Sequence, residues 1–293
     1  MTKQELLEIL NSNGLEKLAV KIEPTLRTAI RIKPIECEED KIKIGQSKFG
    51  GQPDLPENIA WVKDFEQNSL AFIAQINLHE VARLDTEDLL PKTGILYFFY
   101  DATQSACGLE IADRENNMFK VIYYDGDLDL LQRKDFPDDL PEESEDEYSP
   151  NTARFTPAKI KINQEISYPS NGETIYEDLT SEEYDIFAEN FFEDDSIHKL
   201  LGYSNNLQNP MEIECELITN GIVLDDPDAY ETPEAIALKE NVGDWRLLLQ
   251  VDSTEEGEGS MDFAGGGTIY YWIKKQDLLN KDFDKVWFSL QSY

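Results

Sequence analysis

Histidine is almost absent from this chain: His79 and His198 are the two present in 293 residues. A three-histidine metal centre within one chain is thereby excluded, and each histidine reads first as a structural or solvated side chain and only second as a lone base. Cysteine is nearly as scarce. Cys37, Cys107 and Cys215 lie far apart with no CxxC pair, which argues against a disulfide framework and a zinc cluster and leaves three reduced thiols. Long apolar runs are also missing. GILYFFYDA, after Leu90-Pro91-Lys92-Thr93, falls well short of the roughly 20 residues of a membrane span, and MTKQELLEIL lacks the basic-then-apolar pattern of a signal peptide. The expectation is a cytoplasmic protein without membrane contact.

Basic charge is the largest deficit. Against 60 Asp and Glu stand 26 Lys and Arg, a formal net charge of −34. The acid is not evenly spread: residues 1–50 hold nine bases and eight acids, whereas DFPDDLPEESEDEY at 135–148 has eight acids and no base. Residues 173–195 add ten more acids, again with no base. A phosphate backbone or an anionic membrane needs a Lys/Arg footprint, so direct nucleic-acid binding is excluded. What such a field attracts is a basic protein, a polyamine or a divalent cation.

What is present is ample apolar material, 40% hydrophobic and 11% aromatic, enough for a sizeable core in a single domain over 1–293. Leu6, Leu7, Leu10, Leu15, Leu18 and Ile22 recur at helical spacing and predict an N-terminal helical segment over 1–25. Ile30, Ile32 and Ile35 alternate with charged neighbours as in a half-exposed strand. GQSKFGGQPDLPENIAW reads as a turn-laden loop anchored by Phe49 and Trp61. SLAFIAQINL and GILYFFYDA read as buried strands bridged by a short helical crossover, and MFKVIYYD and AKIKINQEISYP as further strands. Helices are expected at TSEEYDIFAENFFEDD, NPMEIECELITNG, TPEAIALKENV and QDLLN, and His198 reads as part of a helical stretch. Strands are expected at DWRLLLQVD, TIYYWIKK and KVWFSLQS. The acidic segment at about 135–150 reads as a surface loop.

One phrase occurs twice. LAFIAQINL at 70–78 and WRLLLQVDS at 245–253 share an apolar run, a glutamine and a polar exit, and each is followed by a polar excursion ending in Gly94 or Gly267 before an aromatic strand. This predicts an α+β fold: a single compact domain with internal duplication of a strand-helix-strand unit, mixed or antiparallel sheets and peripheral helices. The pseudo-repeat halves would span about 45–130 and 196–293. Gln75 and Gln250 then read as structural amides pinning the same junction twice, or as the lining of a shared ligand cleft together with Trp61 and Asp252.

The ordered set GGQPDLP with Trp61, FIAQINL, LPKTGILYFFYD, HKLLGYSNNLQ, LLLQVDS and the closing TIYYWIKKQDLLNKDFDKVWFSLQSY resembles the YwqG-like family, a bacterial domain of unknown function. The likeness runs from about Gly50 to Tyr293 and implies a single-domain α+β protein with an internal duplication. It supplies no catalytic residues. The family's LGYPxxIQ stands here as LGYSNNLQ, with Ser204 in the proline position.

No catalytic signature survives inspection. DGDLD at 125–129 alternates carboxylates as a calcium loop does, but Leu130 and Phe136 stand where an EF-hand needs Gly and Glu. Glu255, Glu256, Glu258 and Asp262 offer hard oxygens on a flexible loop, a weak divalent site at best. Gly265–Gly267 precede a strand and lack the lysine of a phosphate loop, so no cofactor is implied. Sixty acids make any carboxylate pair uninformative by spacing. The leading expectation is a non-enzymatic protein-binding module that neutralises a basic partner in the manner of a toxin-immunity protein. The alternatives are a small-ligand protein or enzyme with a cleft between the duplicated halves, and a weak divalent-cation binder.

Overall fold

A computed structural model describes residues 1–140, 153–169, 174–191, 196–255 and 257–292. The strands are β1 (Arg27–Glu36), β2 (Lys48–Phe49), β3 (Asp54–Pro56), β4 (Ala71–Asn77), β5 (Ile95–Tyr100), β6 (Phe119–Tyr124), β7 (Leu131–Arg133), β8 (Ala158–Ser167), β9 (His198–Leu201), β10 (Trp245–Asp252), β11 (Thr268–Lys274) and β12 (Trp287–Gln291). The helices are short: α1 (Lys3–Ser12), α2 (Glu16–Ile22), α3 (Leu78–Val81), α4 (Ile111–Glu115), α5 (Ser181–Phe191), α6 (Glu212–Thr219), α7 (Pro233–Leu238) and α8 (Lys275–Leu279). None is long and apolar enough to cross a membrane.

Ten strands form one sheet in the order β12-β11-β10-β9-β1-β8-β2-β4-β5-β6, and every pairing in it is antiparallel. This overturns the expected α+β architecture with a strand-helix-strand unit. β4 and β5 are hydrogen-bonded antiparallel neighbours, so the chain between them needs no crossover, and the four residues of α3 merely begin a long hairpin excursion. The continuous apolar runs misled because these strands are covered on both faces by other means. The outer face of β4 and β5 lies under the small β3–β7 ribbon through Leu55 and Leu131. Their inner face meets the opposite wing of the same sheet. There Phe98 packs edge-on against Tyr271 at 5.0 Å, and Phe288 stacks on Tyr100 at 4.4 Å and on Phe119 at 5.4 Å. The sheet is thus curled almost into a barrel whose ends, β6 and β12, meet through aromatic side chains.

His198 lies in β9 rather than in a helix, pairing with Ile32, and the expected loop at 45–61 carries β2 and β3. Elements of two to four residues are too short to show a period; pairing partners distant in sequence create them. Of the acidic segment at 135–150, residues 141–150 lie outside the described residues.

The two wings correspond strand for strand. Outward from the centre, β1-β9-β10-β11-β12 faces β8-β2-β4-β5-β6, and the β-bulges fall at corresponding places, between Phe72 and Ala74 and between Leu247 and Leu249. In chain order the matching runs are β1-β2-β4-β5-β6 and β8-β9-β10-β11-β12, so β1 pairs with the short strand β9 of the later run and β8 with the short strand β2 of the earlier one. A second core lies beside the sheet, where Leu6, Leu10, Leu18 and Ile22 of α1 and α2 pack against Phe187 and Phe191 of α5.

Candidate functional site

Gln75 on β4 stands opposite Lys48 of β2 and Tyr97 of β5. Its Oε1 accepts from Asp54 N at 2.8 Å, and its Nε2 donates to Gln46 O at 2.8 Å and to Asp54 Oδ2 at 2.7 Å. Gln250 on β10 stands opposite Lys199 of β9 and Tyr270 of β11. Its Oε1 accepts from Asn205 N at 2.9 Å and its Nε2 donates to Ile197 O at 3.0 Å. Each amide therefore joins the backbone before and after its neighbouring short strand, at residues eight apart in both wings (46 and 54, 197 and 205). A tyrosine completes each clamp: Tyr97 Oη donates to Asp54 O at 2.5 Å and Tyr270 Oη to Asn205 O at 2.7 Å. The chain returns between the anchors through two left-handed residues, Gly50 and Gly51 (φ 57° and 65°) or Leu201 and Gly202 (φ 61° and 73°). At Gly51 the space is also needed, because a Cβ would lie 1.9 Å from Glu39 Oε2.

Four strands separate β4 from β10, roughly 24 Å along the sheet. The two glutamines are thus buried at separate junctions, and the space between the wings is filled by aromatic side chains. Trp61 is on neither junction. It packs against Phe99 and Phe136, and its Nε1 donates to Leu70 O at 2.8 Å.

The N-terminal clamp adjoins a buried ionic hub. Lys48 has no exposure, and its Nζ pairs with Glu39 Oε1 at 2.6 Å and donates to Gln52 O. Arg133 Nε bonds Asp54 Oδ1 at 3.0 Å, while its two terminal nitrogens donate to Glu39 O and Ile42 O. Burial lowers the Lys48 pKa, against the pull of Asp54 and Glu39, and Arg133 lowers it further. A depressed lysine in a cleft would suggest a nucleophile, but this ammonium is sealed from solvent and held by Glu39 and Gln52.

On the C-terminal wing, Asp252 Oδ1 accepts from Thr268 Oγ1 at 2.7 Å and Oδ2 accepts from Ile197 N at 3.2 Å. Its own N–H donates to His198 Nδ1 at 3.1 Å, as Asn77 N does to Ser47 Oγ at 2.8 Å on the other wing. Accepting at Nδ1 places the imidazole proton on Nε2, which points at Glu258 Oε2 3.9 Å away. The facing His198 holds the Glu258 carboxyl below its ordinary value, against burial and with help from Lys33. Asp262 Oδ1 accepts from Gly266 N at 2.7 Å and reaches Ser253 Oγ at 3.5 Å. Of the proposed oxygen ligands, Glu255 is exposed and Glu256 lies outside the described residues. Among the described residues no group of three or more His, Cys, Asp or Glu side chains is placed to hold a metal ion. Desolvation, then Asp113 and Glu110, push the Cys107 thiol up, away from a reactive thiolate.

A surface that the sequence reading did not single out follows α6. Asp226 caps a short 3-10 turn (Pro227–Glu231), Thr232 Oγ1 accepts from Ala235 N to start α7, and buried Ala235 anchors it. This frame displays Asp225, Asp226, Asp228, Glu231, Glu234 and Glu240 to solvent beside Val223 and Ile236, which are 69% and 50% exposed. Lys239, the single base between 222 and 244, pairs with Glu231 at 3.1 Å. Burial and the nearby Glu214 carboxylate push Tyr230 beneath them up to about 12. The signal was legible as LDDPDAYETPEAIALKENVGD, seven acids and one base, but longer acidic runs elsewhere outweighed it.

A family model described as "Domain of unknown function (DUF1963)" matches residues 47–292. No curated protein matches the chain.

Proposed function

We propose, from the premise that the chain belongs to the DUF1963 family, that it is a non-enzymatic binding protein whose acidic surface receives a basic protein partner. The finer YwqG-like assignment agrees with that family, and we place the protein in the cytoplasm. The observation that carries the reading is a division of labour among polar groups. The conspicuous interior ones, Gln75, Gln250, Lys48, Asp54 and Asp252, are bonded to neighbouring backbone and side chains and hold the sheet together. The carboxylates of the 225–240 frame have one cation among them in sequence and are exposed, as are two apolar residues of the same stretch, Val223 and Ile236. Exposed apolar side chains interspersed with unneutralised charge of one sign suit recognition of a protein of opposite charge. In a toxin-immunity role such carboxylates would occupy the positions where a nuclease expects phosphates.

The test compares captures from native lysate by the wild-type protein and by a variant carrying Asp225→Asn, Asp228→Asn, Glu234→Gln and Glu240→Gln, at low and at physiological salt. The expected outcome is one basic protein held by the wild type, weakened by salt and lost with the variant. Equal retention by the variant, or no partner at low salt, would refute the reading.

A further inference from the structure

At the centre of the sheet the charge reverses. Antiparallel partners directly opposite one another project from the same face. The register of β1 and β8 therefore sets Lys33 beside Lys161, Arg31 beside Asn163, and Ile35 beside Lys159 on one face. The next strands extend the rows, with Lys199 of β9 beside Arg31 and Lys48 of β2 beside Lys159. With Arg27 opposite Ser167 at the far end of β1, seven basic side chains of a chain that has 26 share one face of four adjacent strands, and the other six cluster about its midpoint. They are arranged with the correspondence of the wings: Lys48 matches Lys199, Arg31 matches Lys159, and Lys33 matches Lys161, so that the last two meet across the midpoint.

The neighbouring carboxylates are committed at the edges of the row. Glu39 pairs with Lys48, and Glu165 lies 3.9 Å from Arg31, whose other terminal nitrogen donates to Ser196 O. Glu258 is near enough for the charge of Lys33 to lower its pKa, but the carboxylate faces His198. Lys33 and Lys161 are exposed, Lys159 is half-buried, and none of the three forms an ion pair among the described residues. Like charges directly opposite on adjacent strands destabilise a sheet, so the arrangement at 33 and 161 costs stability unless an anion sits over it.

We infer that this face, with Lys33, Lys159 and Lys161 as its donors and Arg31 at its margin, is a binding site for a compact polyvalent phosphate. Size follows from the surroundings. The screening length is about 8 Å at physiological ionic strength, and beyond the row the molecule is strongly acidic. A nucleic-acid strand or an acidic protein would extend from the cationic row into that repulsive field, whereas a diphosphate fits within it. Directly opposed side chains separated by about 5 Å also match the spacing at which two lysines share the oxygens of one such anion. The inference is independent of the acidic recognition surface, which lies beside α6 and α7.

Titration calorimetry with inorganic pyrophosphate at low salt tests it, with sodium sulfate at matched ionic strength as the control. The wild-type protein is expected to bind pyrophosphate saturably, and Lys33→Gln with Lys161→Gln together to weaken binding by at least about tenfold. Both residues are exposed, so the double variant should fold, and without ligand it should melt no lower than the wild type because the opposed charges are gone. Absence of pyrophosphate binding to the wild type, equal binding by the double variant, or an equal response to sulfate would overturn the inference.

Discussion

A glutamine in the middle of an apolar strand is costly unless both ends of its amide are used, and here the use is the same twice. Replacing Gln75 by Leu would strand Asp54 N and Gln46 O in the interior; replacing Gln250 by Leu would strand Asn205 N and Ile197 O. We expect each change to cost roughly 2–4 kcal/mol in urea unfolding, with Gln75→Leu the more severe because Asp54 Oδ2 also loses its donor. A loss below about 0.5 kcal/mol in both variants would mean that the clamps do not hold the short strands. Glu216 gives a pH prediction at the same scale. Burial pushes its carboxyl up, but Lys274 at 2.6 Å, Trp245 Nε1 at 2.8 Å and Asn241 bring it below the ordinary value. A carboxylate lowered in the folded state contributes stability above its unfolded pKa of 4.5, and that contribution disappears as pH falls through the lower folded value. Glu216→Gln should therefore lower stability at pH 7 and flatten its decline below pH 4.5, as followed by unfolding curves across that range. The sequence offered Gln75 and Gln250 as a repeated pair because the surrounding phrase repeats; it gave no sign of their partners, which come from segments 21 to 53 positions away.

Among the elements, β1 carries the most structural consequence for its length. It is paired along ten residues with β8 and along four with β9, so it joins the two wings, yet it precedes residue 47, where the family match begins. A protein lacking residues 1–46 should fail to form the sheet, seen as loss of the far-UV strand signal and as aggregates on gel filtration. Removing residues 1–25 should leave the sheet and expose Phe187 and Phe191, which α1 and α2 cover. If the shorter protein remained monomeric with a native-like melt, the joining role of β1 would be wrong. Long strands were legible, since Ile30 and Ile32 alternate with polar and charged neighbours in an element of ten residues, although Ile35 breaks the alternation and lies exposed on the opposite face. β2, β3 and β9 were not, because two to four residues carry no period and exist only through their neighbours.

For the molecule as a whole, charge sets the dependence on solution conditions. At −34 the exposed carboxylates repel one another, so raising salt from low to physiological should raise the melting temperature by screening. A fall would show that attractive surface pairs dominate. Mild acid should act in the same direction. Desolvation raises the pKa values of Asp85, Asp113 and Glu214, and a carboxyl raised in the folded state opposes folding at neutral pH and is relieved as it protonates. Stability should therefore rise from pH 7 toward about pH 5 and fall below 4.5, where Glu216 and the other lowered carboxyls begin to protonate.

Composition and pattern alone determined the acidic character, the long strands, and the correspondence of two glutamine-bearing phrases. Those are properties of neighbouring residues and of totals. That β1 pairs with β9 and β8 with β2, and that Lys33 comes to stand beside Lys161, were decided by pairings between residues more than a hundred positions apart, and the antiparallel β4–β5 pairing by contacts across the excursion that joins them. A strand's own sequence specifies which side chains alternate. It does not specify which edge the strand will find, because backbone hydrogen bonds are the same for every residue, and the choice falls to whichever packing closes the whole core.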